Sequence, residues 1–263
     1  DVAYGGGRFF RADRAGSGWA DPGAYAWSED GQAWTTSTYA DEFWSSACAY
    51  GLGRFACARG EAISWSTTGM TVVHQATTWG GHLNAIGWAG DRFVAVGRSG
   101  RRTVSLDGES WSHEAWMDEG DTLYAVASAG DTIVAVGGDN RLLLTWSQDG
   151  GQTWEESTFC EESYARVERV AHNGTRWLAT ANTNGCANIW TSDDGATWTP
   201  QPDADARPAV LGVVGGAFIG AATPWGQPSQ LLRSEDGLTW TALATAPEGV
   251  AFSALASETW EAP

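Results

Sequence analysis

The sequence has no lysine. All 15 of its basic residues are arginines, they face 32 aspartates and glutamates, and the net charge is −17. Proteins bind a nucleic-acid backbone through clustered cations that displace counterions, so this balance argues against a nucleic-acid partner. Without lysine there is no P-loop, and neither an HExxH nor a GxSxG pattern occurs. These absences remove the commonest sequence signatures of nucleotide-binding and hydrolytic enzymes.

Long hydrophobic runs are also scarce. The stretch 208–232 carries no charge, but glycines and prolines interrupt it, and its apolar part fits a β-hairpin better than a membrane span. We therefore expect no membrane span. The sequence begins at Asp1, without a basic segment followed by an apolar one, so we expect any secretion signal to have been removed already. A fragment of a longer chain is the alternative.

A short motif, Ser-x-Asp-Gly-x-x-Trp, recurs roughly every 40 residues. Most copies are regular, one contains an additional residue, and one is degenerate. In chain order the copies are Ser28/Asp30/Gly31/Trp34, the degenerate Ser66/Thr68/Gly69/Val72, Ser105/Asp107/Gly108/Trp111, the longer Ser147/Asp149/Gly151/Trp154, Ser192/Asp194/Gly195/Trp198 and Ser234/Asp236/Gly237/Trp240.

A second pattern precedes each motif. It consists of two short apolar runs separated by two turn-forming residues, as in Ala85–Ala89, Gly90-Asp91 and Arg92–Val96. Such pairs predict tight β-hairpins. With a third strand leading into the motif and a fourth leaving it, each repeat supplies four antiparallel strands, the pattern of a propeller blade. The other predicted turns are Gly6-Gly7, Leu52-Gly53, Gly130-Asp131, Asn173-Gly174 and Gly215-Gly216.

The repeats together predict an all-β chain, a single β-propeller domain of four-stranded antiparallel blades over residues 1–263. Six motifs predict six blades. A seventh blade is the alternative, because 250–260 could begin another hairpin. The approximate repeats are 1–43, 44–82, 83–121, 122–165, 166–208 and 209–249, with 250–263 as a strand that closes the ring beside the first blade.

These units resemble the Asp-box (BNR) repeats of the sialidase-like β-propellers, and the resemblance extends from about residue 2 to residue 241. In that family the boxes are structural turns that occur in enzymes, receptors and binding proteins alike. The resemblance therefore implies a fold and leaves the function open. The Arg-Ile-Pro signature of sialidases has no counterpart here, because the nearest segment, Arg8-Phe9-Phe10-Arg11, lacks the proline. No catalytic residue is assigned on this basis.

The four cysteines fit two disulfides, which form in oxidising compartments. Cys48 and Cys57 are equidistant from the predicted turn Leu52-Gly53, so they should lie directly opposite each other. Cys160 follows the fourth strand of one repeat, and Cys186 lies between the second and third strands of the next, at the same end of adjacent blades. We predict both bridges and a secreted or extracytoplasmic protein. Free buried thiols are the alternative. Metal binding by the cysteines is not expected, because the sequence has no CxxC pattern and no Cys–His cluster.

The predicted strand order separates two faces. Hairpin turns and motifs lie on one, and the longer connections lie on the other, which should also receive five tryptophans from outside the motifs. Flat aromatic rings can stack on sugars while polar side chains bind the hydroxyls, so this face is predicted to bind a glycan. The alternative is that the rings pack in the seams between blades. The candidate ligand-binding residues are Trp19, Trp44, Trp79, Trp116, Trp225, Arg11, Arg14 and Asp21.

No metal or cofactor site is predicted. His74 and His82 lack a recognisable third ligand. The acidic groups Asp118/Glu119/Asp121, Glu161/Glu162 and Asp203/Asp205 could bind Ca²⁺ or act as glycosidase carboxylates, but no motif supports Ca²⁺. Asn173-Gly174-Thr175 has the form of an N-glycosylation site, although Asn-Gly also suits a tight turn.

Three functional hypotheses follow. The leading one is a secreted, lectin-like and non-catalytic propeller whose partner is a glycan. The second is a structural subunit of an extracellular assembly, whose partner is another extracellular protein. The third is a glycoside hydrolase of sialidase-like fold, which would require two carboxylates in one pocket.

Overall fold

The computed structural model describes residues 2–14, 23–39, 45–68, 73–76, 81–116, 121–139, 141–161, 165–202, 204, 206–223 and 227–252. They belong to two compact units, one within Asp1–Leu123 and one within Tyr124–Ser257. Each unit contains three four-stranded antiparallel sheets. Within every sheet, strands that follow one another in the sequence lie side by side. The described chain is thus nearly all β.

The first unit holds the first three sheets. The first sheet consists of β1 (Val2–Gly5), β2 (Arg8–Arg14), β3 (Gly23–Ser28) and β4 (Thr35–Tyr39). The second consists of β5 (Ser45–Gly51), β6 (Arg54–Arg59), β7 (Ala62–Ser66) and β8 (Val73–Ala76). The third consists of β9 (Leu83–Trp88), β10 (Phe93–Gly97), β11 (Arg102–Ser105) and β12 (Ser112–Ala115), with a 3-10 helix, Arg98–Gly100, between its second and third strands.

The second unit holds the other three sheets. The fourth sheet consists of β13 (Leu123–Ala129), β14 (Thr132–Gly137), β15 (Arg141–Ser147) and β16 (Glu155–Glu161). The fifth consists of β17 (Arg166–His172), β18 (Trp177–Asn182), β19 (Ile189–Ser192) and β20 (Thr199–Pro200). The sixth consists of β21 (Val210–Val214), β22 (Ala217–Ala222), β23 (Gln230–Ser234) and β24 (Thr241–Thr245).

The charge-free stretch 208–232 lies in the sixth sheet. Its apolar part forms the predicted hairpin, with Val214 opposite Ala217 across Gly215-Gly216. Among the described residues, no helix has the length and apolar character needed to cross a membrane. Of the predicted closing strand over 250–263, residues 253–263 lie outside the described part of the chain.

The hairpin turns explain the choice of small residues between the first two strands. Leu52 and Gly53 both have positive φ, 52° and 70°, as a two-residue turn of the I′ type requires.

One predicted turn is wrong by a residue. In the fifth sheet His172 pairs with Trp177, and the backbone N–H of Asn173 donates to the carbonyl of Arg176. The turn residues are therefore Gly174 and Thr175, and Asn173 directly follows the strand.

The core of each unit is built from the inner strands. In the first unit Ala56, Ala58 and Ala95 are fully buried and pack with Ile63 and Phe93. In the second unit larger buried side chains pack together, among them Val134, Leu142, Leu144 and Trp177. Consecutive residues of these inner strands are buried, as in β10, β14 and β18, so both faces of the strands are removed from water.

Every sheet has two unlike ends. We call the end with the hairpin turn and the Ser-x-Asp-Gly motif the turn end. The opposite end, with the connection between the second and third strands and the link to the next sheet, is the loop end. This division follows from the antiparallel strand order and was predicted from the sequence.

At the turn ends the motif closes on itself. In the first copy the Gly31 N–H donates to Ser28 Oγ at 2.9 Å, and Ser28 Oγ donates to Asp30 Oδ1 at 3.0 Å. The next two backbone N–H groups both donate to Asp30 Oδ1 at 2.8 Å, and the indole N–H of Trp34 donates to the Gly31 carbonyl at 3.1 Å. The Ser–Asp bonds recur in the other four clear copies. These polar groups serve the turn itself.

Both predicted disulfides are present. Cys48 lies directly opposite Cys57 in β5 and β6, with 4.1 Å between the Cα atoms. Cys160 and Cys186 join the fourth sheet to the fifth, with 6.5 Å between the Cα atoms. One detail differs from the prediction, because Cys160 lies within β16, opposite Leu142, and not after the strand.

Candidate binding sites at the loop ends

The structure describes only part of the predicted glycan platform. Trp19, Trp44, Trp79, Trp225 and Asp21 lie outside the described residues, and Arg14 is described only as the last backbone position of β2. Arg11 and Trp116 remain. The gathering of five tryptophans on one face therefore stays a prediction.

Arg11 contacts a ring of the motif. Its guanidinium carbon lies 4.8 Å from the centroid of the Trp34 ring, and both side chains are half-buried. A cation over an indole face stabilises the pair by about 0.5–1 kcal/mol at an exposed site. This contact gives Arg11 a role in packing within the first sheet.

Trp116 lies at the loop end of the third sheet, directly after β12. It is 40% exposed, and it is one of six large apolar residues that are exposed in the described part of the chain. The guanidinium carbon of Arg101 lies 5.5 Å from its ring centroid. Arg101 is fully buried, and its Nη1 donates to the Gly81 carbonyl at 2.8 Å. The exposed indole therefore rests on a charged side chain that cannot move freely.

A second arginine, Arg102, fixes the backbone at the same place, the corner formed by Arg101, Arg102 and Trp116. Arg102 is 3% exposed, and its Nη2 donates to the Trp116 carbonyl at 3.0 Å. Arg101 and Arg102 directly follow the 3-10 helix, in which Ser99 has a φ of 56°. The sequence predicts Trp116 as a ligand-binding residue, but it does not predict the contacts with Arg101 and Arg102. The only sequence signal of these contacts is the pair of consecutive arginines after Arg98-Ser-Gly in a chain with few cations.

The second unit has a polar cluster at the loop ends of its first two sheets. Tyr124 Oη donates to Asp139 Oδ1 at 2.6 Å. The Arg166 guanidinium lies 5.6 Å from the Tyr124 ring centroid and forms an ion pair with Glu168, 3.1 Å between Nη2 and Oε1. Arg166 is half exposed, so this pair contributes little to stability.

A pocket of about 400 Å³ opens at the loop end of the fifth sheet. It lies between the loop after β18 and the segment after β20. The Cys160–Cys186 disulfide borders it, because Cys186 is one of its lining residues. Beside Cys160, the Phe159 ring stacks on the Trp190 ring at 4.6 Å and 12°. The pocket lining consists of residues 185–189, 201, 202, 204, 206 and 207.

Three polar side chains are among the described lining residues of this pocket, and each forms a hydrogen bond within the fold. Asn188 Oδ1 accepts the Thr183 N–H at 3.3 Å. Gln201 Nε2 donates to Thr191 Oγ1 at 3.0 Å. Arg207 Nη1 donates to the Ala181 carbonyl at 3.1 Å. Sequence reasoning missed the pocket, because its two walls are separated in the chain and only the folded sheet brings them together.

The histidines and acidic groups supply no metal site that the structure describes. The side chains of His74, Glu161, Glu162, Asp203 and Asp205, among others, lie outside the described residues. Within the described part, no group of three His, Cys, Asp or Glu side chains could hold a metal ion. His172 lies at a turn end, where burial lowers its pKa and its Nδ1 accepts the Gly174 N–H at 3.2 Å.

Asn173 is the first residue of the N-glycosylation sequence (sequon) Asn173-Gly174-Thr175, and its side chain forms hydrogen bonds within the protein. It is only 6% exposed, and its Nδ2 donates to the Glu235 carbonyl of the sixth sheet at 3.0 Å. Its Oδ1 accepts the backbone N–H groups of Thr175 and Arg176 at 3.1 and 2.9 Å. The Asn-Gly pair thus has a complete structural explanation.

The fold has counterparts among known structures. Neither a protein-family model nor a curated protein matches this chain. A structure described as YCF48 bound to D1 peptide is similar over 92% of this chain and 79% of its own, with 15% identity and a TM-score of 0.62. A chain in a crystal structure of the mitotic checkpoint complex is similar over 76% of this chain and 62% of its own, with 10% identity and a TM-score of 0.55.

At these identities the likeness shows the fold alone. The protein is a β-propeller, and its six four-stranded antiparallel sheets are the blades. Six blades is the number that the six motifs predicted. Propellers host many unrelated functions, so the fold alone does not define the function.

Proposed function

We propose that this chain is a non-catalytic binding propeller whose ligand contacts lie at the loop ends of its sheets. The two ends differ in what their polar groups do. At the turn ends, Ser and Asp side chains are used by the same set of internal hydrogen bonds in every clear copy of the motif. The loop ends differ from sheet to sheet, as binding surfaces on a repeated scaffold do.

The exposed Trp116 indole on the buried Arg101 guanidinium is the observation that carries this proposal. A ring that is already fixed loses little conformational freedom when a ligand stacks on it. Stacking of a flat apolar face contributes about 0.5–1.5 kcal/mol. A sugar offers such a face together with hydroxyls, so a glycan is the ligand class that this corner favours.

The experiment compares two single variants on a glycan array. Trp116→Ala removes the ring at the loop end of the third sheet. Leu106→Ala removes a more exposed apolar side chain, 66% exposed, from the turn end of the same sheet. We expect Trp116→Ala to weaken glycan binding by about two- to tenfold, equivalent to about 0.4–1.4 kcal/mol, and Leu106→Ala to leave it unchanged. Equal binding by both variants, or no glycan bound by the parent chain, would refute the glycan assignment.

A protein partner is the second candidate, which the likeness to propellers in a peptide complex and in a multiprotein complex favours. A photo-crosslinking amino acid at position 116 separates the two candidates. A defined protein adduct that is absent with the same probe at position 106 would support a scaffold role. A covalent adduct between position 116 and a glycan would support lectin-like binding.

An extracytoplasmic location is part of the same proposal. Two disulfides in one chain support it, because reducing compartments disfavour them. Mass spectrometry of unreduced peptides from the natural source tests this point. Linked Cys48–Cys57 and Cys160–Cys186 peptides in an extracytoplasmic fraction are expected, and alkylated free thiols would contradict it.

A further inference from the structure

The pocket of the fifth sheet lies beside β20, the fourth and outermost strand of that sheet. Among the described outermost strands, β20 is the shortest. We infer that this pocket binds a short, extended peptide segment with a small apolar side chain. The site lies in the second unit and does not depend on glycan binding at Trp116.

The first argument is the early end of β20. This outer strand has two residues, whereas the outer strands of the other sheets have four to seven. The sequence explains the difference, because Pro200 and Pro202 have no N–H to donate to a neighbouring strand. Pairing continues only through the Gln201 N–H, which donates to the Ile189 carbonyl at 2.8 Å.

The pocket begins where this pairing ends. One wall is formed by residues 185–189, at and just before the start of β19. The described residues of the other wall follow β20 and are 201, 202, 204, 206 and 207. An extended segment placed there would follow the course that a longer β20 would have taken. Proteins recognise peptides in this way when a strand adds to an open sheet edge.

The second argument is the chemistry of the lining. Asn188 accepts one hydrogen bond within the fold through Oδ1, and Gln201 donates one through Nε2. An amide can both donate and accept. The Asn188 Nδ2 donors and the Gln201 Oε1 acceptor therefore remain for a ligand. One donor and one acceptor on the two walls match the C=O and N–H of a peptide unit.

The walls also select against a sugar. The apolar lining residues are small aliphatic ones, Ala187, Ile189, Pro202, Ala204 and Ala206, and no aromatic ring is among the described lining residues. These described walls therefore offer no aromatic face on which a sugar ring could stack. Small aliphatic walls instead suit a methyl or isopropyl side chain of a peptide.

Arg207 could orient a bound peptide through its guanidinium group. One of its guanidinium nitrogens is held by the Ala181 carbonyl and Asn182 Oδ1, at 3.1 and 3.3 Å. A guanidinium has five N–H donors in a fixed plane, so donors remain for a peptide carbonyl at the rim. The disulfide at Cys186 fixes the opposite wall.

The test selects a random heptapeptide library on phage against the folded chain and measures the affinity of synthetic hits by calorimetry. Asn188→Asp keeps the Oδ1 acceptor and replaces the donor with an acceptor. Ala206→Leu fills part of the pocket. Gln32→Glu, an exposed turn-end change in the first sheet, is the control for the added negative charge. Thermal melts confirm that all variants fold.

We expect enriched peptides that bind Asn188→Asp and Ala206→Leu at least tenfold more weakly and bind Gln32→Glu and Trp116→Ala as they bind the parent. Hydrogen exchange should show slower exchange in 185–189 when the peptide is added. Absence of any enriched peptide, or binding that neither pocket variant weakens, would overturn the inference. Peptide binding that is lost only in Trp116→Ala would also overturn it, while supporting a protein partner at the other corner.

Discussion

Asn173 connects the turn of the fifth sheet to the sixth sheet, and its replacement gives the sharpest test of the packing. The structure assigns it one donated bond, to the Glu235 carbonyl, and accepted bonds from the Thr175 and Arg176 backbone N–H groups and from the Thr175 hydroxyl. Asn173→Ala removes all four. Because Gly174 and Thr175 are exposed, water can replace part of the loss at the turn.

The magnitude follows from the buried contacts. A net hydrogen bond contributes about 0.5–1.5 kcal/mol, and a buried group left unsatisfied costs about 1–3 kcal/mol. Asn173→Ala should therefore lower the free energy of unfolding by about 2–4 kcal/mol. For units of this size that is a fall of roughly 5–10 °C in the midpoint of a thermal melt.

Thr175→Val is the matched control. It destroys the sequon, as Asn173→Ala does, but loses only the hydroxyl bond to Asn173 at an exposed position. We expect it to cost about 1 kcal/mol or less. An unchanged melt for Asn173→Ala, or an equal loss in both variants, would refute the reasoning. Attachment of a glycan to Asn173 in material from the natural source would refute it as well.

Two further predictions concern the turn ends and the inter-sheet disulfide. At Asp107 burial raises the pKa, but hydrogen bonds from the Ser110 and Glu109 N–H groups outweigh it and lower the pKa to about 2. Since the folded-state pKa lies below the usual 3.8, the stabilisation is present above pH 4 and is lost as the pH falls from about 4 to 2. Asp107→Asn should flatten the acid limb of a plot of melting midpoint against pH, and an unchanged slope would contradict this. Replacing both Cys160 and Cys186 with serine should cost on the order of 2–4 kcal/mol, measured by melting the variant beside the parent with and without reductant. If reductant lowers the midpoint of the variant as much as that of the parent, the stabilisation comes from the other bridge.

Local patterns were sufficient to predict the blades. The spacing of Ser, Asp, Gly and Trp residues fixes one turn per sheet, and the hydrogen bonds to Asp30 and Asp107 show why those residue types recur. The pairing of Cys48 with Cys57 followed from symmetry about Leu52-Gly53. In each case residues that lie close in the sequence determine the structure.

The candidate sites depend on contacts between distant residues, and the sequence predicts these poorly. The turn was predicted at Asn173-Gly174, but it lies at Gly174-Thr175, because the Asn173 side chain accepts the N–H groups of Thr175 and Arg176. Arg101 lies beside Trp116 because Arg102 pairs with Ala115 between β11 and β12, so this contact depends on the register of the two strands. The pocket had one local signal, the prolines that shorten β20, but its opposite wall comes from the loop before β19.

The most direct test of the central claim maps ligand protection over the whole chain. Hydrogen exchange is measured with and without a saturating glycan or peptide ligand that the array or the library has identified. The account predicts slower exchange at loop ends, in 81–84, 98–102 and 115–116 for a ligand at Trp116 and in 185–189 for one in the pocket. Protection confined to the turn ends, such as 105–111 and 147–154, with unchanged loop ends would contradict it.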